Sequence, residues 1–224
     1  MPVLHHHAFC PHSRFVRLAM SEIGIEPETA EQRPWERDTT FLMMNPSGTT
    51  PVLLEGEITV PGATVIAEYL DETRGEGLNG RRLMPSDPAA RVEVRRLLDW
   101  FNTKFFTEVT EHLVTERIFK RYSGGSPDSA AIRAARANMR YHLRYIGYLS
   151  ATRNWLAGDR MTYADLAAAA HLSCADYLGD VPWDEDETAK EWYARVKSRP
   201  AFRTLLADRI PGMTPPAHYA DLDF

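Results

Sequence analysis

The sequence predicts an α+β protein, in which a small domain of mixed strands and helices precedes an all-helical domain. Over residues 1–78, short apolar runs alternate with helical patterns, which is typical of a small α/β domain. Over residues 87–212, apolar residues recur with a helical period only. A segment over residues 75–85 contains Gly and Arg, and residues 79–86 are taken as the predicted linker. Residues 213–224 form a tail with two prolines.

The N-terminal domain is predicted to contain four strands and two helices. The elements, in chain order, are a strand over 2–8, a helix over 13–24, a weak strand over 27–32, two hairpin strands over 51–55 and 57–60, and a helix over 63–74. A βαβ unit followed by a ββα unit is the thioredoxin-like order. Pro51 enters an inner strand of this sheet, where it cannot donate a hydrogen bond to the ladder.

The C-terminal domain is predicted to begin where Asp87 caps a helix and Pro88 occupies its first position. Apolar spacing carries that helix to about residue 122, a length of roughly 50 Å at 1.5 Å per residue. A second helix is expected over about 127–149. Thr162 and Asp165 then have the spacing of a capping box that opens a third helix. Two shorter helices are expected near 187–198 and 200–207.

Composition and net charge limit the classes of function that this protein can have. The chain has 224 residues, 44% of them hydrophobic, and a net charge of -5, which argues against nucleic-acid binding. We expect no membrane span and no signal peptide, and therefore a cytoplasmic protein. Two cysteines far apart predict neither a disulfide framework nor a zinc site. His5, His6 and His7 fit an opening strand better than a metal site, because neighbours in a strand point to opposite faces.

Five segments resemble the cytosolic glutathione transferases, and the resemblance spans about residues 2–210. They are Asn45-Pro46, Pro51-Val52-Leu53, residues 66–70, residues 162–165 and Arg199-Pro200-Ala201-Phe202. Their order and spacing together make the resemblance specific. It implies a cis peptide bond between Thr50 and Pro51, which would explain the proline in the inner strand.

The same resemblance locates a glutathione site from which two side chains are missing. In that family an acidic residue and a serine before the second helix of the thioredoxin-like domain hold the γ-glutamyl end of glutathione. Here these positions are Gly62 and Ala63, which leave only backbone donors. We therefore expect Thr50, Pro51, Gly62 and Ala63 to form a vestigial site. No cofactor is required, and any binding of glutathione should be weak.

Cys10 is the one plausible nucleophile, because it lies at a turn from strand to helix where transferases of the Cys type place a reactive thiol. The positive end of the helix and Arg14 nearby could lower the pKa of this thiol. The alternative is that Cys10 is an inherited small residue at a turn. If Cys10 is reactive, the protein is a glutathione-dependent transferase or thiol oxidoreductase.

Two further segments resemble the FtsZ-binding transferase-like cell-division proteins of alphaproteobacteria. These are residues 33–37 and the tail over 215–224. The resemblance implies a homodimer without enzymatic activity that binds FtsZ filaments and regulates cell division. The expected partner contacts are Trp35, Arg37, Asp221, Asp223 and Phe224. Trp35 itself has two interpretations, an anchor folded back over the domain or an exposed hot-spot residue.

Overall fold

The computed structural model describes residues 1–222, and it confirms the predicted fold class. The N-terminal part is a four-stranded mixed sheet in the order β2-β1-β3-β4, in which β1 and β2 are parallel and the other pairs antiparallel. Its elements are β1 (Val3–His6), α1 (Pro11–Glu22), β2 (Glu28–Glu31), α2 (Thr39–Met44), β3 (Val52–Glu55), β4 (Ile58–Pro61) and α3 (Ala63–Arg74). The limits of the predicted domains at residues 78 and 87 stay a prediction.

Strand register follows from one row of apolar side chains. Leu4 pairs with Leu53, which pairs with Val60, and all three are buried on the helix-covered face of the sheet. β2 is an edge strand with mostly exposed side chains, which explains why its sequence pattern is weak. The Thr50-Pro51 peptide bond is cis, as the resemblance implied.

The sequence patterns missed two short elements between β2 and β3, a 3₁₀ turn over Pro34–Glu36 and helix α2. Asp38 caps α2 by accepting a 2.8 Å hydrogen bond from the N–H of Phe41. Phe41 is the only residue of this helix that is buried. Four of its six residues are apolar and consecutive, so they show no helical period, and only one of them is buried.

The long helix of the C-terminal part runs over residues 88–123, as predicted. It consists of α4 (Pro88–Asp99), α5 (Glu111–Val114) and α6 (Lys120–Ser123), which are joined by π-helical segments over Trp100–Thr110 and Thr115–Phe119. No pattern in the sequence indicates the π-helical turns. Such turns are rare and often occur at functional sites.

The remaining helices of the C-terminal part include one that is fully buried. They are α7 (Ser129–Thr152), α8 (Tyr163–Tyr177), α9 (Glu187–Lys197) and α10 (Arg203–Leu206). Every residue of α8 is buried, and α1, the long helix and α9 pack against it. The predicted capping box is confirmed: the N–H of Ala164 donates to Oγ1 of Thr162 at 3.2 Å, and the N–H of Thr162 donates to Oδ2 of Asp165 at 2.9 Å.

Helices α1 and α8 join the two parts of the molecule. Arg14 of α1 is completely buried and donates a 2.9 Å hydrogen bond to Oγ of Ser173 in α8. At the next residue of α8, the thiol of Cys174 lies 3.6 Å from the carbonyl oxygen of Phe9. These contacts fix the start of α1 against the helical part, and a cavity opens beside that point.

Candidate functional site: a cavity between the sheet and the long helix

A cavity of about 300 Å³ lies between the thioredoxin-like part and the long helix. From the sheet side, Cys10, Thr50, Gly62 and Ala63 line it, so the structure brings together four of the residues that the sequence singled out. Pro51, the fifth, is buried next to Thr50. The long helix contributes mainly apolar surface, from Phe106, Val114, Phe119, Thr115 and Glu111.

Cys10 occupies the N-cap position of α1, and Pro11 follows it at the first helical position. Its backbone N–H donates to the carbonyl oxygen of His7 at 3.0 Å, which closes the turn after β1. The sulfur lies 3.5 Å from the carbonyl oxygen of Thr50. Proline at this position and the tight turn together direct the thiol into the cavity mouth.

The Cys10 thiol is acidified by its surroundings. Burial alone would raise its pKa, but hydrogen bonding and the positive charge of His12, with smaller contributions from Thr50 and Ser13, lower the pKa from 9.0 to about 7. A substantial fraction of Cys10 is therefore thiolate at neutral pH. Cys174 shows the opposite behaviour, because burial raises its pKa to about 12.

His12 is the residue that sequence reasoning missed. Its Nε2 donates to the carbonyl oxygen of Asn102 at 2.9 Å, and its ring lies edge-on to Phe106. Burial lowers the pKa of His12, but the interaction with Cys10 outweighs burial and the net shift is upward. The sequence does contain one indication of this residue, because a histidine stands two positions after the candidate nucleophile, in the first turn of a helix.

The start of α3 offers backbone and no charged side chain. Gly62 is the N-cap residue with a φ of 92°, a region that favours glycine, and its N–H donates to the carbonyl oxygen of Pro51 at 3.0 Å. No acidic residue lies in the first turn of α3. What α3 presents to the cavity is therefore the positive end of a helix with no carboxylate in its own first turn.

Family comparisons agree with this geometry. Residues 9–73 match the glutathione S-transferase N-terminal domain, and residues 118–200 match the glutathione S-transferase C-terminal domain. The chain belongs to the glutathione S-transferase family. Among its relatives, the FtsZ-localized protein A of Caulobacter vibrioides is 48% identical over 99% of this chain and 97% of its own length.

Solved transferase-family structures match the whole chain. A glutathione S-transferase from Sinorhizobium meliloti superposes with a TM-score of 0.97 and 52% identity, covering 100% of both chains. FzlA from C. crescentus superposes with a TM-score of 0.93 and 48% identity, covering 100% of this chain and 99% of the other. The expected resemblance to the transferases, and within them to an FtsZ-associated group, is confirmed.

In this transferase fold, Trp35 packs over the end of the long helix. Its ring stacks on Tyr122 at a centroid distance of 5.4 Å and meets Phe119 at 4.8 Å. It remains partly exposed, so it is an anchor with one accessible face. Arg37 follows in a left-handed conformation, with φ 50°, and is exposed. Whether either residue binds a partner stays a prediction.

A buried tyrosine is one of the residues that hold the tail against the helical part. The hydroxyl of Tyr219 donates to the carbonyl oxygen of Leu205 at 3.0 Å and accepts from Arg14 at 3.3 Å, and its ring lies edge-on to Tyr177. Asp221 follows two residues later and is exposed. The two other predicted tail contacts, Asp223 and Phe224, lie outside the described residues.

Among residues 1–222, no cluster of three or more histidine, cysteine or acidic side chains could hold a metal ion. None of the helices in that range is long and apolar enough to cross a membrane.

Proposed function

We propose that this protein binds FtsZ filaments and regulates cell division, and that it does so without glutathione-dependent turnover. The observation that carries the proposal is the 48% identity to FtsZ-localized protein A, which extends over 99% of the chain. The loss of both clamp side chains at Gly62 and Ala63 supports the second part. An enzyme that used glutathione would need those groups to hold its substrate.

The described contacts support one recognition surface for Trp35, Arg37 and the tail. Trp35 stacks on Tyr122 at the end of the long helix, and the neighbouring Arg121 donates to the carbonyl oxygen of Gly212 at 3.1 Å. The segment that leads into the tail therefore runs past the same helix end. Tyr219 then holds the described part of the tail, which ends at residue 222, against the helical part.

We also propose that the protein acts as a homodimer. Exposed apolar side chains occur on β4, α3, α4 and α7, which lie side by side: Glu68 of α3 pairs with Arg95 of α4 at 2.8 Å, and Trp100 contacts Tyr141 of α7. The exposed residues are Ile58, Val65, Val92, Tyr141 and Tyr148. Exposed apolar side chains that are grouped on neighbouring elements are typical of an interface.

The test of FtsZ binding is co-sedimentation with assembled FtsZ at low and high salt. Trp35→Ala should weaken binding by about 2 kcal/mol, or roughly thirtyfold, with little salt dependence if Trp35 is a hot spot. Arg37→Glu and Asp223→Lys should weaken binding mainly at low salt, because exposed charges are screened over about 8 Å at physiological ionic strength.

Two controls keep this test decisive. Glu57→Lys reverses an exposed charge in the turn between β3 and β4, at the sheet edge opposite β2, and should leave co-sedimentation unchanged. Trp35→Phe keeps an aromatic ring against Phe119 and Tyr122, so it separates lost folding from lost recognition. If all three surface variants sediment like the wild type, the proposed recognition surface is wrong. If the wild type itself does not co-sediment, FtsZ binding is wrong.

The second candidate function is glutathione chemistry at Cys10, either as a transferase or as a thiol oxidoreductase. The observation that favours it is the lowered pKa of the Cys10 thiol, about 7, at a cavity next to the helix N-terminus of α3. Retention on immobilised glutathione, lost in Cys10→Ser, would support this function. It would also contradict the non-enzymatic part of the first proposal without touching FtsZ binding.

A further inference from the structure

One Asn-Gly pair lies in the segment that connects α3 to α4. Asn79 is the only one of the five asparagines that is followed by a glycine, and the pair lies in a 3₁₀ segment over Gly75–Arg81. Neither the cavity beside Cys10 nor the proposed FtsZ-binding surface includes this pair. Asn79 is exposed, and within residues 1–222 its side chain makes no hydrogen bond, so its carboxamide can rotate.

The backbone at Asn79 has an uncommon conformation, with φ 49° and ψ -123°. These are the dihedral angles of the first central residue of a type II′ β-turn, a position that glycine, asparagine and aspartate dominate. Such a conformation is strained for a residue with a side chain. The carbonyl oxygen of Asn79 accepts a 3.2 Å hydrogen bond from the N–H of Arg82, which holds the peptide plane between Asn79 and Gly80 in this orientation.

This conformation brings the Gly80 nitrogen close to the side chain of Asn79. Around the Cα–C bond of an L-residue, the torsion from the following nitrogen to Cβ exceeds ψ by about 120°. A ψ of -123° therefore leaves the Gly80 nitrogen almost eclipsed with the Cβ of Asn79. That nitrogen and the carbonyl carbon, Cα and Cβ of Asn79 lie almost in one plane, as they do in a succinimide ring that Cγ closes.

The surroundings of the pair leave room for a reaction with solvent. A Cβ built on Gly80 would have no atom within 4 Å, so the space beside this residue is open. Asn79 also lines an open cavity of about 440 Å³ together with Arg82 and Arg160. Water therefore reaches the carboxamide and the peptide bond that follows it.

We propose that Asn79 and Gly80 are a site of spontaneous covalent modification, at which the loop closes to a succinimide and reopens with water to aspartate or iso-aspartate. The proposal does not depend on FtsZ binding or on glutathione. Both products add one negative charge to the connection between the thioredoxin-like part and the helical part. Iso-aspartate also adds one carbon atom to the main chain there.

The reaction needs water and no oxidant or reductant. The Gly80 nitrogen gives its proton to solvent and forms a bond to Cγ of Asn79, and the bond from Cγ to Nδ2 breaks. Nδ2 leaves as ammonia after it takes up a proton. Water then adds to one of the two ring carbonyl carbons and breaks the bond from that carbon to the Gly80 nitrogen, which regains a proton. Opening at Cγ gives aspartate, and opening at the backbone carbonyl carbon gives iso-aspartate.

The experiment follows the tryptic peptide Gly75–Arg81 by mass spectrometry during incubation of the folded protein at neutral pH. Digestion is brief and mildly acidic, so that the reaction does not continue during preparation. Loss of one ammonia marks the succinimide, and replacement of that ammonia by one water marks the hydrolysed products. An isoaspartyl methyltransferase labels iso-aspartate. The references are a peptide of residues 75–81 that is blocked at both ends, and the whole protein unfolded in guanidinium.

The folded protein should react about tenfold faster than the free peptide. Fixing the backbone of one residue costs a flexible chain roughly a factor of 5–30 in population, and the folded loop has already met this cost at Asn79. The unfolded protein should react at the rate of the peptide. A folded protein that reacts at the rate of the peptide, or more slowly, would overturn the proposal.

Other asparagines and one variant separate backbone geometry from the small size of glycine. Asn102 and Asn138 lie in helices, where ψ is near -42°, and should stay unmodified in the folded protein. Gly80→Ala fits the open space and should slow the reaction in protein and peptide alike, while the folded protein keeps its roughly tenfold advantage. Loss of that advantage in folded Gly80→Ala would overturn the role of the Asn79 backbone. If this variant does not fold, the comparison of wild-type protein with peptide still decides.

Discussion

The N-termini of α3 and α8 differ in how their free backbone N–H groups are satisfied. Both helices leave their first N–H groups without intrahelical partners. At α8, Thr162 and Asp165 supply side-chain acceptors, and Asp165 also accepts from the N–H of Leu156 at 2.9 Å and from the Trp192 indole at 3.1 Å. At α3, the N-cap is Gly62, which supplies no side chain at all.

The difference follows from where each helix begins. The start of α8 is buried, so its polar groups must be satisfied within the protein. The start of α3 borders the 300 Å³ cavity, where a ligand or water can satisfy the same groups. Glycine at an N-cap costs only a few tenths of a kcal/mol relative to Ser or Asp. The side chains of a ligand clamp can therefore be lost at α3 with almost no effect on the stability of the fold. Loss of the capping box at α8 would destabilise it.

The largest expected effect that tests this contrast is Asp165→Ala. Removing the carboxylate leaves the buried N–H groups of Leu156 and Thr162 without an acceptor, each at about 1–3 kcal/mol, so we expect a loss of about 3–5 kcal/mol in the free energy of unfolding. Denaturant titration measures it. Asp159→Ala, at an exposed acid of the preceding loop, is the matched control and should stay within about 0.5 kcal/mol.

The next effect comes from rebuilding the clamp with Gly62→Glu plus Ala63→Ser. A φ of 92° is unfavourable for any residue with a Cβ, so the double variant should lose about 1–3 kcal/mol of stability. No atom lies within 4 Å of a Cβ built on Gly62, so the loss should come from the backbone and not from a clash. The variant should bind glutathione more tightly than the wild type in calorimetry. Unchanged binding would mean that other parts of the site are also missing.

A smaller effect is expected from Thr162→Ala. Loss of an N-cap hydroxyl typically costs about 1 kcal/mol, and the partner-binding surface should be untouched. Thr162→Ser keeps the hydroxyl and should recover most of the stability in the same titration. If Thr162→Ala is as stable as the wild type, Asp165 alone accounts for the stabilising effect of the capping box. The contrast with α3 then rests on one residue.

How much of this could be read from the sequence depends on how local each signal is. The capping box at residues 162–165 and the helix over 63–74 were predictable, because spacing alone defines them. The family resemblance supplied the cis bond before Pro51. Helix α2 was missed, since one buried residue, Phe41, leaves no amphipathic pattern. The π-helical turns of the long helix leave no sequence pattern either.

The residues of the site also divide into those that a local sequence pattern identifies and those that depend on distant parts of the chain. Cys10, Thr50, Gly62 and Ala63 were singled out before the structure placed them around one cavity, although their roles stay predictions. His12 was not, because its importance depends on the carbonyl oxygen of Asn102, 90 residues away in sequence. The sequence could not decide whether Trp35 is an anchor or an exposed contact residue, because its stacking partner, Tyr122, lies in the other half of the chain.

The smallest expected effect is that of glutathione on the wild-type protein. A ligand that binds only the folded state adds RT ln(1 + [L]/Kd), which is about 0.4 kcal/mol when the ligand concentration equals Kd. Without the acidic clamp we expect Kd above 1 mM, so 1 mM glutathione should raise the melting temperature by no more than about 1–2 °C. The melt should be run with reductant present and repeated on Cys10→Ser, so that a mixed disulfide is not mistaken for reversible binding. A shift of several degrees that persists in Cys10→Ser would show that the backbone donors of α3 hold glutathione unaided, and the contrast between the two helix ends would then concern stability alone.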